Sequence, residues 1–273
     1  MKGYTINIKG HLMDLDEPKV MGILNVTPDS FFDGSRCFSE DAIRKRVRKM
    51  IEEGVDIIDI GGCSTRPGYE PPSDMMEWER VDAGCRIVKE IAPELPVSVD
   101  TFRASVAKKA IEKWNVDIIN DVSGGEDPGM WPLIANERVA YILTHNRKDG
   151  NDTYGDVTAE VISELSKSIN ELHRLGVVDL IVDPGFGFAK DTESNFKLFA
   201  NLNEIAGIGL PILVGISRKS MIYKTLECSP EETLSATIAL DAIALEKGAG
   251  ILRVHDVKEA KDTVKIFTYL KND

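Results

Sequence analysis

The sequence has few of the residues from which metal centres and disulfide frameworks are built. It contains four cysteines and four histidines in 273 residues, and no two cysteines form a C-x-x-C pair. None of the histidines stands near a cysteine at zinc-finger spacing, so a structural zinc site is not expected. We interpret the four cysteines as reduced thiols.

Long apolar segments and an excess of basic residues are also missing. No apolar run approaches the roughly 20 residues that span a bilayer, and the start, MKGYTINIKG, has no apolar core of a secretion signal. The 33 Lys and Arg are outnumbered by 45 Asp and Glu, which gives a net charge of -12. Such a surface repels nucleic acid and anionic lipid, so we expect a cytoplasmic protein with neither as a partner.

Eight short apolar runs recur along the chain, and segments with helical periodicity separate them. The runs begin at Val20, Val55, Pro96, Val116, Val139, Leu180, Leu210 and Ala249. Near-continuous apolar runs are typical of parallel strands covered on both faces. Eight βα units predict an α/β protein, a (β/α)8 TIM barrel, with one domain over residues 1–273. An open doubly wound sheet is the alternative, but no G-x-G-x-x-G follows the first run.

The segment before the first run has a different pattern. TINIKGHLMDLDEP alternates apolar and polar residues around Lys9-Gly10. This alternation predicts a short N-terminal β-hairpin that covers the N-terminal mouth of the barrel.

Polar residues follow each of the eight runs. They are Asn25, then Ser64, Thr65 and Arg66, then Asp100, Asn120, His145 with Asn146, Asp183, Arg218 with Lys219, and Arg253 with His255. In a TIM barrel the loops after the strands converge on the axis, so these residues predict a polar ring at one face. A polar residue after a strand can also cap the next helix, but eight in succession favour a binding site.

The segments around these residues are more specific than their positions. From about Val20 to the last helix they read GILNVTPDSFFDG, GGCSTRPG, SVDT, IINDV, THNR, DPGFGFAK, GISRKS and RVHDV. In order and spacing this set resembles the dihydropteroate synthase family. The resemblance implies a transferase of folate biosynthesis and a sulfonamide target. Its substrates would be 6-hydroxymethyl-7,8-dihydropterin pyrophosphate and p-aminobenzoate, and it would release pyrophosphate.

Three positions depart from the family pattern. Cys63 stands where the family commonly has Glu, and Ser35 replaces the second Gly of the first loop. THNR, from Thr144, replaces the H-M-Q-G variant of many members. We expect these changes to affect loop mobility rather than the type of reaction.

The resemblance also assigns roles to individual residues. Pterin binding falls to Asp100, Asn120, Asp183 and Lys219, which offer acceptors and one cationic donor to the amino-oxo-pyrimidine edge. Pyrophosphate binding falls to Asn25, Thr65, Arg253 and His255, and the amide oxygen of Asn25 is expected to hold Mg2+. The p-aminobenzoate site comprises Arg66, Pro67, Phe188, Lys219 and Ser220. The catalytic assignment is Asp33, Lys219 and Arg66, although Asp33 also suits a turn. His145 and Asn146 could face the pterin ring from the side, but a satisfied core histidine suits the same position, and neither is assigned a role.

Two other functions and one partner follow from the same residues. A barrel that transfers methyl from methyltetrahydrofolate to a corrinoid protein would share the pterin pocket but would not need the TPDSFFDG loop. A non-catalytic pterin-binding paralogue would lose loop residues such as Thr65 and Arg66 first. The family commonly dimerises through late helices, and ETLSATIALDAIALEKG has apolar residues beyond one stripe, which predicts a homodimer.

Overall fold

The computed structural model describes residues 4–26, 36–63, 70–147 and 152–271, with residues 36–39 described by their backbone only. A β-hairpin opens the described chain, formed by β1 (Thr5–Ile8) and β2 (His11–Asp14), which pair antiparallel. Its turn residues Lys9 and Gly10 have φ angles of 52° and 87°. A two-residue hairpin turn of this type requires positive φ at both positions, which Gly10 adopts without strain.

Eight parallel strands follow the hairpin. They are β3 (Lys19–Asn25), β4 (Ile57–Gly61), β5 (Val97–Asp100), β6 (Ile118–Asp121), β7 (Ala140–Thr144), β8 (Leu180–Asp183), β9 (Leu213–Val214) and β10 (Ile251–Val254). Their order in the sheet is β8-β7-β6-β5-β4-β3-β10-β9. A parallel bridge between Val182 and Ile212 connects the two ends of the sheet and closes the barrel. The predicted TIM barrel is therefore confirmed, with one strand in each predicted run.

Helices cover the outside of the barrel. They are α1 (Arg36–Glu52), α2 (Asp74–Ile91), α3 (Ala104–Trp114), α4 (Met130–Glu137), α5 (Val157–Arg174), α6 (Thr192–Ala200), α7 (Leu202–Ile205), α8 (Ser220–Leu226), α9 (Leu234–Glu246) and α10 (Val257–Lys271). None of the helices in the described ranges is long and apolar enough to cross a membrane. The outward-facing residues of the strands pack against these helices in one large apolar cluster.

The barrel interior changes character from one end to the other. At its N-terminal end the inward-facing side chains are apolar, and they form a second buried cluster with Ile6, Ile8 and Leu15 of the hairpin segment. The hairpin therefore closes this mouth, as predicted. Nearer the C-terminal end the inward-facing side chains are polar. Because side chains alternate along a strand, Ile57, Asp59 and Gly61 all face the interior, and the change occurs within a single strand.

A carboxylic acid is buried on α9, away from the barrel axis. Asp241 is 2% exposed, and its Oδ1 has no hydrogen-bond partner among the described residues. Burial, together with the charge of Asp256, raises the pKa of Asp241 to about 8. The folded chain therefore retains a proton that the unfolded chain releases near pH 4.

We predict that Asp241→Asn removes a pH-dependent loss of stability. Because the folded pKa is raised, the contribution of Asp241 is greatest below its unfolded pKa and is lost as pH rises through about 8. At pH 8.5 the variant should exceed the wild type in free energy of unfolding by at least about 1.4 kcal/mol, the value of one pKa unit. Urea unfolding at pH 5, 7 and 8.5 measures this. Asp262→Asn, on an exposed part of α10, should retain the wild-type pH dependence; equal slopes for all three proteins would contradict the prediction.

Candidate active site

A buried arginine joins two acidic residues at the centre of the polar end of the barrel. Arg253 of β10 donates from Nε to Asp59 Oδ2 at 2.7 Å and from an Nη atom to Asp100 Oδ2 at 2.5 Å. Burial raises the pKa of Asp100 to about 7, and the guanidinium of Arg253 opposes the rise. The guanidinium thus bridges carboxylates of β4 and β5. The predicted pyrophosphate contact of Arg253 would have to use its remaining N–H groups.

The neighbouring amide is oriented by the same carboxylate. Asn120, on β6, donates from Nδ2 to Asp59 Oδ2 at 3.1 Å, which directs its own Oδ1 away from that bond. Four buried polar atoms on adjacent inward-facing positions have no hydrogen-bond partner in the part of the chain that the structure describes: Asp59 Oδ1, Ser98 Oγ, Asn120 Oδ1 and Thr144 Oγ1. A buried polar atom left unpaired costs about 1–3 kcal/mol, so such a group indicates a place for a polar ligand or water.

Asp183 and Lys219 carry opposite charges and influence each other electrostatically. Asp183 lies on the strand next to Thr144. Asp183 ends β8, is 5% exposed, and accepts a bond from Gly185 N at 2.7 Å through Oδ1. Burial raises the pKa of Asp183, and Lys219 opposes the rise. Lys219 donates from Nζ to the carbonyl of Phe186, and the Nζ lies 4.7 Å from the centre of the Phe188 ring. Burial lowers the pKa of Lys219 to about 8.

The backbone around Lys219 explains how a lysine reaches the interior. Arg218 adopts a left-handed φ of 59°, which turns the chain after β9, and Lys219 then precedes the first residue of α8. Gly187 has a φ of 82°, and a Cβ there would lie 3.2 Å from Lys219 Cδ. The glycine therefore lets the loop after β8 pass beside the lysine stem.

Two oxygen donors converge beside Gly61. A Cβ at Gly61 would lie 3.2 Å from Asn25 Oδ1 and 4.0 Å from Asp100 Oδ2, so the missing side chain leaves room between these atoms. Oxygen donors of this kind suit a hard divalent cation. The described residues contain no group of three or more His, Cys, Asp or Glu that could hold a metal. A magnesium ion here would therefore need ligand oxygens and water to complete its coordination.

His255 lies just beyond the end of β10. Its Nδ1 is 3.0 Å from Ser217 Oγ, and its carbonyl accepts a bond from Arg46 of α1. Burial, together with the charges of Arg218 and Arg253, lowers the pKa of His255 to about 4. The imidazole is therefore neutral at neutral pH, and an anion there would meet a hydrogen-bonding group rather than a cation.

The remaining predicted residues divide into two sets. Ser220 begins α8 beside Lys219 and is half-buried, as is Phe188. The other four site residues lie outside the described residues: Asp33, Thr65, Arg66 and Pro67. His145, whose role the sequence left open, is 4% exposed and has both ring nitrogens in contact with Glu164 and Lys190. The satisfied core position considered for His145 is the one observed.

Two residues of the site were absent from the sequence-based set. Asp59 is fully buried in the run VDIIDIGG, and its spacing of two from Ile57 and Gly61 was a signal for an inward-facing acid. Lys190 is 8% exposed at the end of DPGFGFAK. No local pattern indicates the burial of Lys190, because its side-chain partner His145 lies 45 positions away, just after β7.

Known proteins resemble this chain in sequence and fold over most of its length. A family model for pterin binding enzymes matches residues 21–255. The dihydropteroate synthase of Bacillus subtilis is 41% identical over 258 residues, which is 93% of this chain and 88% of that protein. The structure of Xanthomonas albilineans dihydropteroate synthase with 4-aminobenzoic acid has a TM-score of 0.94 at 36% identity and covers both chains fully. The same enzyme in complex with 7,8-dihydropteroate gives a TM-score of 0.89 at 34% identity, covering 99% of this chain and 100% of that one.

These matches confirm the resemblance drawn from the eight strand-end motifs. They also confirm the expected enzyme class, a transferase of folate biosynthesis. By full-length similarity in sequence and structure, the chain belongs to the pterin-binding enzyme family, among its dihydropteroate synthases.

Proposed function

We propose that this chain joins 6-hydroxymethyl-7,8-dihydropterin pyrophosphate to p-aminobenzoate, which gives 7,8-dihydropteroate and pyrophosphate. The observation that carries the proposal is the set of buried polar atoms on Asp59, Ser98, Asn120 and Thr144 that have no partner among the described residues. Asp183, on the strand next to Thr144, and Lys219 add an acid and a cation to this set. Relatives of this fold have been captured with 4-aminobenzoic acid and with 7,8-dihydropteroate.

The pterin edge would be bound by groups fixed on strands. Its N–H donors suit Asn120 Oδ1 and the carboxylate of Asp183, which retains acceptor capacity beyond the bond from Gly185. Its ring carbonyl suits Lys219, whose ammonium has two N–H groups left after the bond to Phe186. Charge-assisted bonds of this kind contribute roughly 1.5–3 kcal/mol each.

The second substrate would lie between Lys219 and the loop after β8. The ring of Phe188 offers an apolar wall 4.7 Å from the ammonium, and Ser220 offers a hydroxyl and a backbone N–H to a carboxylate. By resemblance, Arg66 and Pro67 cover the same slot. Lys219 would thus contact both substrates and orient the amine toward the pterin methylene carbon.

The leaving group would be held by hydrogen-bond donors at the end of β10. Arg253 has N–H groups beyond its bonds to Asp59 and Asp100 that meet no partner in the described part of the chain. His255 offers a neutral imidazole, and Thr65 joins them by resemblance. The amide oxygen of Asn25 would hold Mg2+, and the ion would supply electrostatic stabilisation of negative charge on the leaving group. The pyrophosphate group itself would complete the ligand set that the protein leaves incomplete.

The reaction would be largely dissociative. An aromatic amine is unprotonated at neutral pH, so its lone pair needs no general base, and catalysis should favour departure of pyrophosphate. Cleavage of the C–O bond would leave a methylene cation that is delocalised into the reduced pterin ring. The amine would then form the C–N bond, and the proton that it gives up would pass to the released pyrophosphate. We assign Asp33, by resemblance, to its stabilisation, while the loops that cover the site exclude water.

A second copy of the chain would cover the late helices. On this side of the barrel Leu226, Ile243, Ile266, Tyr269 and Leu270 are large apolar residues that are each at least 44% exposed. They lie on α8, α9 and α10, the region that the sequence assigned to a homodimer. Exposed apolar side chains grouped on adjacent helices favour an isologous interface.

We predict that the wild type releases pyrophosphate only when both substrates and Mg2+ are present, and that Lys219→Ala loses this activity. Removing one charge-assisted bond to each substrate costs about 3 kcal/mol, which is roughly a 100-fold loss in kcat/KM. Lys224→Ala, at an exposed position on α8, serves as the matched control and should keep wild-type rates. If the wild type bound the pterin but released no pyrophosphate, the result would instead indicate the non-catalytic paralogue. Transfer of a methyl group would indicate the corrinoid enzyme.

We also predict that Asp183→Asn weakens pterin binding about 10- to 100-fold. The amide replaces one acceptor with a donor that faces the donors of the pterin edge, and the buried mismatch costs about 1–3 kcal/mol. Calorimetry with the pterin pyrophosphate measures the change. Asp191→Asn keeps an acceptable N-cap on α6 and should bind as the wild type does. If Asp183→Asn bound the pterin pyrophosphate as tightly as the wild type does, the carboxylate of Asp183 would not be part of the pterin pocket.

Positional isotope exchange should reveal the dissociative step. With heavy oxygen in the ester bridge of the pterin pyrophosphate, Mg2+ and no amine, we expect the wild type to move label into non-bridging positions, because cleavage is reversible. Asp33→Ala should exchange more slowly, since it lacks the stabilising carboxylate, and omission of Mg2+ should slow both proteins. A wild type that turns over with amine but shows no exchange without it would favour direct displacement.

A further inference from the structure

A buried lysine lies behind the loop that lines the proposed aminobenzoate slot. Lys190 Nζ is 2.9 Å from His145 Nδ1, 3.0 Å from the carbonyl of Gly185 and 3.1 Å from that of Phe188. His145 can accept at Nδ1 if its proton is on Nε2, which lies 2.9 Å from Glu164 Oε2. The three N–H groups of an ammonium thus match three acceptors.

The charge of Lys190 depends on its burial and on the charged groups around it. Burial lowers the pKa of Lys190 to about 7, Asp183 and Glu164 favour the ammonium, and Lys219 and Arg147 oppose it. A neutral amine donates only two hydrogen bonds, so one of the three acceptors would lose its partner. The geometry therefore fits the charged form.

The loop that Lys190 holds has an unusual backbone. Gly185, Gly187 and Ala189 have φ angles of 73°, 82° and 44°. A non-glycine residue in this region is strained, and such a conformation persists only where neighbouring contacts fix it. A Cβ at Gly185 would lie 1.9 Å from the carbonyl oxygen of His145, so the loop packs directly against the end of β7.

A second set of contacts holds the same loop from the side of α5. Tyr154 donates from its hydroxyl to the carbonyl of Ala189 at 2.9 Å, and the Arg147 guanidinium lies 3.8 Å from the centre of the Tyr154 ring. Arg147 also pairs with Glu160 at 2.6 Å and with Glu164 at 2.7 Å. We name Lys190, His145, Glu164, Arg147 and Tyr154 the loop clamp. Two of its members, His145 and Arg147, belong to the divergent segment THNR.

The clamped loop contributes directly to the site. The carbonyl of Phe186 accepts the bond from Lys219, and the Phe188 ring faces the same ammonium. In contrast, Asp100 and Asn120 are fixed by strand pairing between β5 and β6. A displacement of the loop would therefore move the wall of the aminobenzoate slot while most of the pterin pocket stays in place.

We propose that Lys190 is a positioning residue for p-aminobenzoate, which it serves by holding the Gly185 and Phe188 carbonyls against the end of β7. The proposal rests on the proposed function for the identity of the two substrates. Lys190 touches neither of them and acts through the loop residue Phe188, whose carbonyl it holds.

The principal test compares Lys190→Met with Lys197→Met. Methionine is unbranched and only one heavy atom shorter than lysine, and it removes all three donors. Lys197 is an exposed residue of α6 whose ammonium pairs with Glu193. For Lys190→Met we expect the KM for p-aminobenzoate to rise at least about tenfold, and the Kd for the pterin pyrophosphate to change less than about threefold. Lys197→Met should match the wild type in both. An equal loss for both substrates, or no change in KM, would overturn the proposal.

Tyr154→Phe provides a milder variant that keeps the fold if Lys190→Met does not. It removes only the bond to the Ala189 carbonyl, so the KM for p-aminobenzoate should rise about two- to fivefold with no change in pterin affinity. If only this variant can be purified, an unchanged KM would count against the clamp.

Hydrogen exchange of backbone amides tests the role of Lys190 in the loop clamp independently of the proposed function. The amides of residues 185–190 should exchange faster in Lys190→Met and in Tyr154→Phe than in the wild type and Lys197→Met, without any substrate present. If the wild type released no pyrophosphate, the proposed function would be wrong, but hydrogen exchange of these amides would still test the loop clamp. Unchanged exchange in both variants would overturn the clamp even if the enzyme is active.

Discussion

The polar end of the barrel depends on one buried guanidinium. Arg253 holds Asp59 and Asp100 together, and Asp59 in turn fixes Asn120 through its amide nitrogen. Removing one partner of a buried ion pair leaves an uncompensated charge and costs about 3–5 kcal/mol. Because the amide of Asn120 is anchored by its nitrogen, its oxygen is the atom left for a ligand. The orientation of the pocket thus follows from a pairing that need not contact the pterin.

Residues that form the apolar core and residues that form the site lie at opposite ends of the barrel axis. Inward-facing Ile57 belongs to the apolar cluster that the hairpin closes, and Asp59, two residues further along β4, already belongs to the site. Gly61, two residues beyond Asp59, leaves the space in which Asn25 and Asp100 approach each other. One strand therefore provides a core residue, an ion-pair partner and an opening. Alternation along the strand is sufficient to place all three on the same face.

The sequence predicted those features that depend on local pattern. Each strand is covered on both faces, so an apolar run in the sequence indicates where it lies. Asp100, Asn120 and Asp183 were identified because they lie at the ends of such runs. Asp59 was overlooked because it lies inside its run. The pairing of Lys190 with His145 joins residues 45 positions apart through a loop with left-handed backbone. Neither composition nor periodicity carries information about such a contact.

The acidic composition and an anionic substrate are compatible because the charges of the site are balanced locally. Asp59, Asp100 and Asp183 face Arg253, Lys219 and Lys190 within the same end of the barrel. Burial raises the pKa of Asp100 and lowers the pKa of Lys219 and of Lys190, so these three groups need oppositely charged neighbours to stay ionised. The net charge of -12 therefore resides mainly on the rest of the surface. Selection of the substrate must come from paired hydrogen bonds and local cations, since the overall field of the protein repels anions.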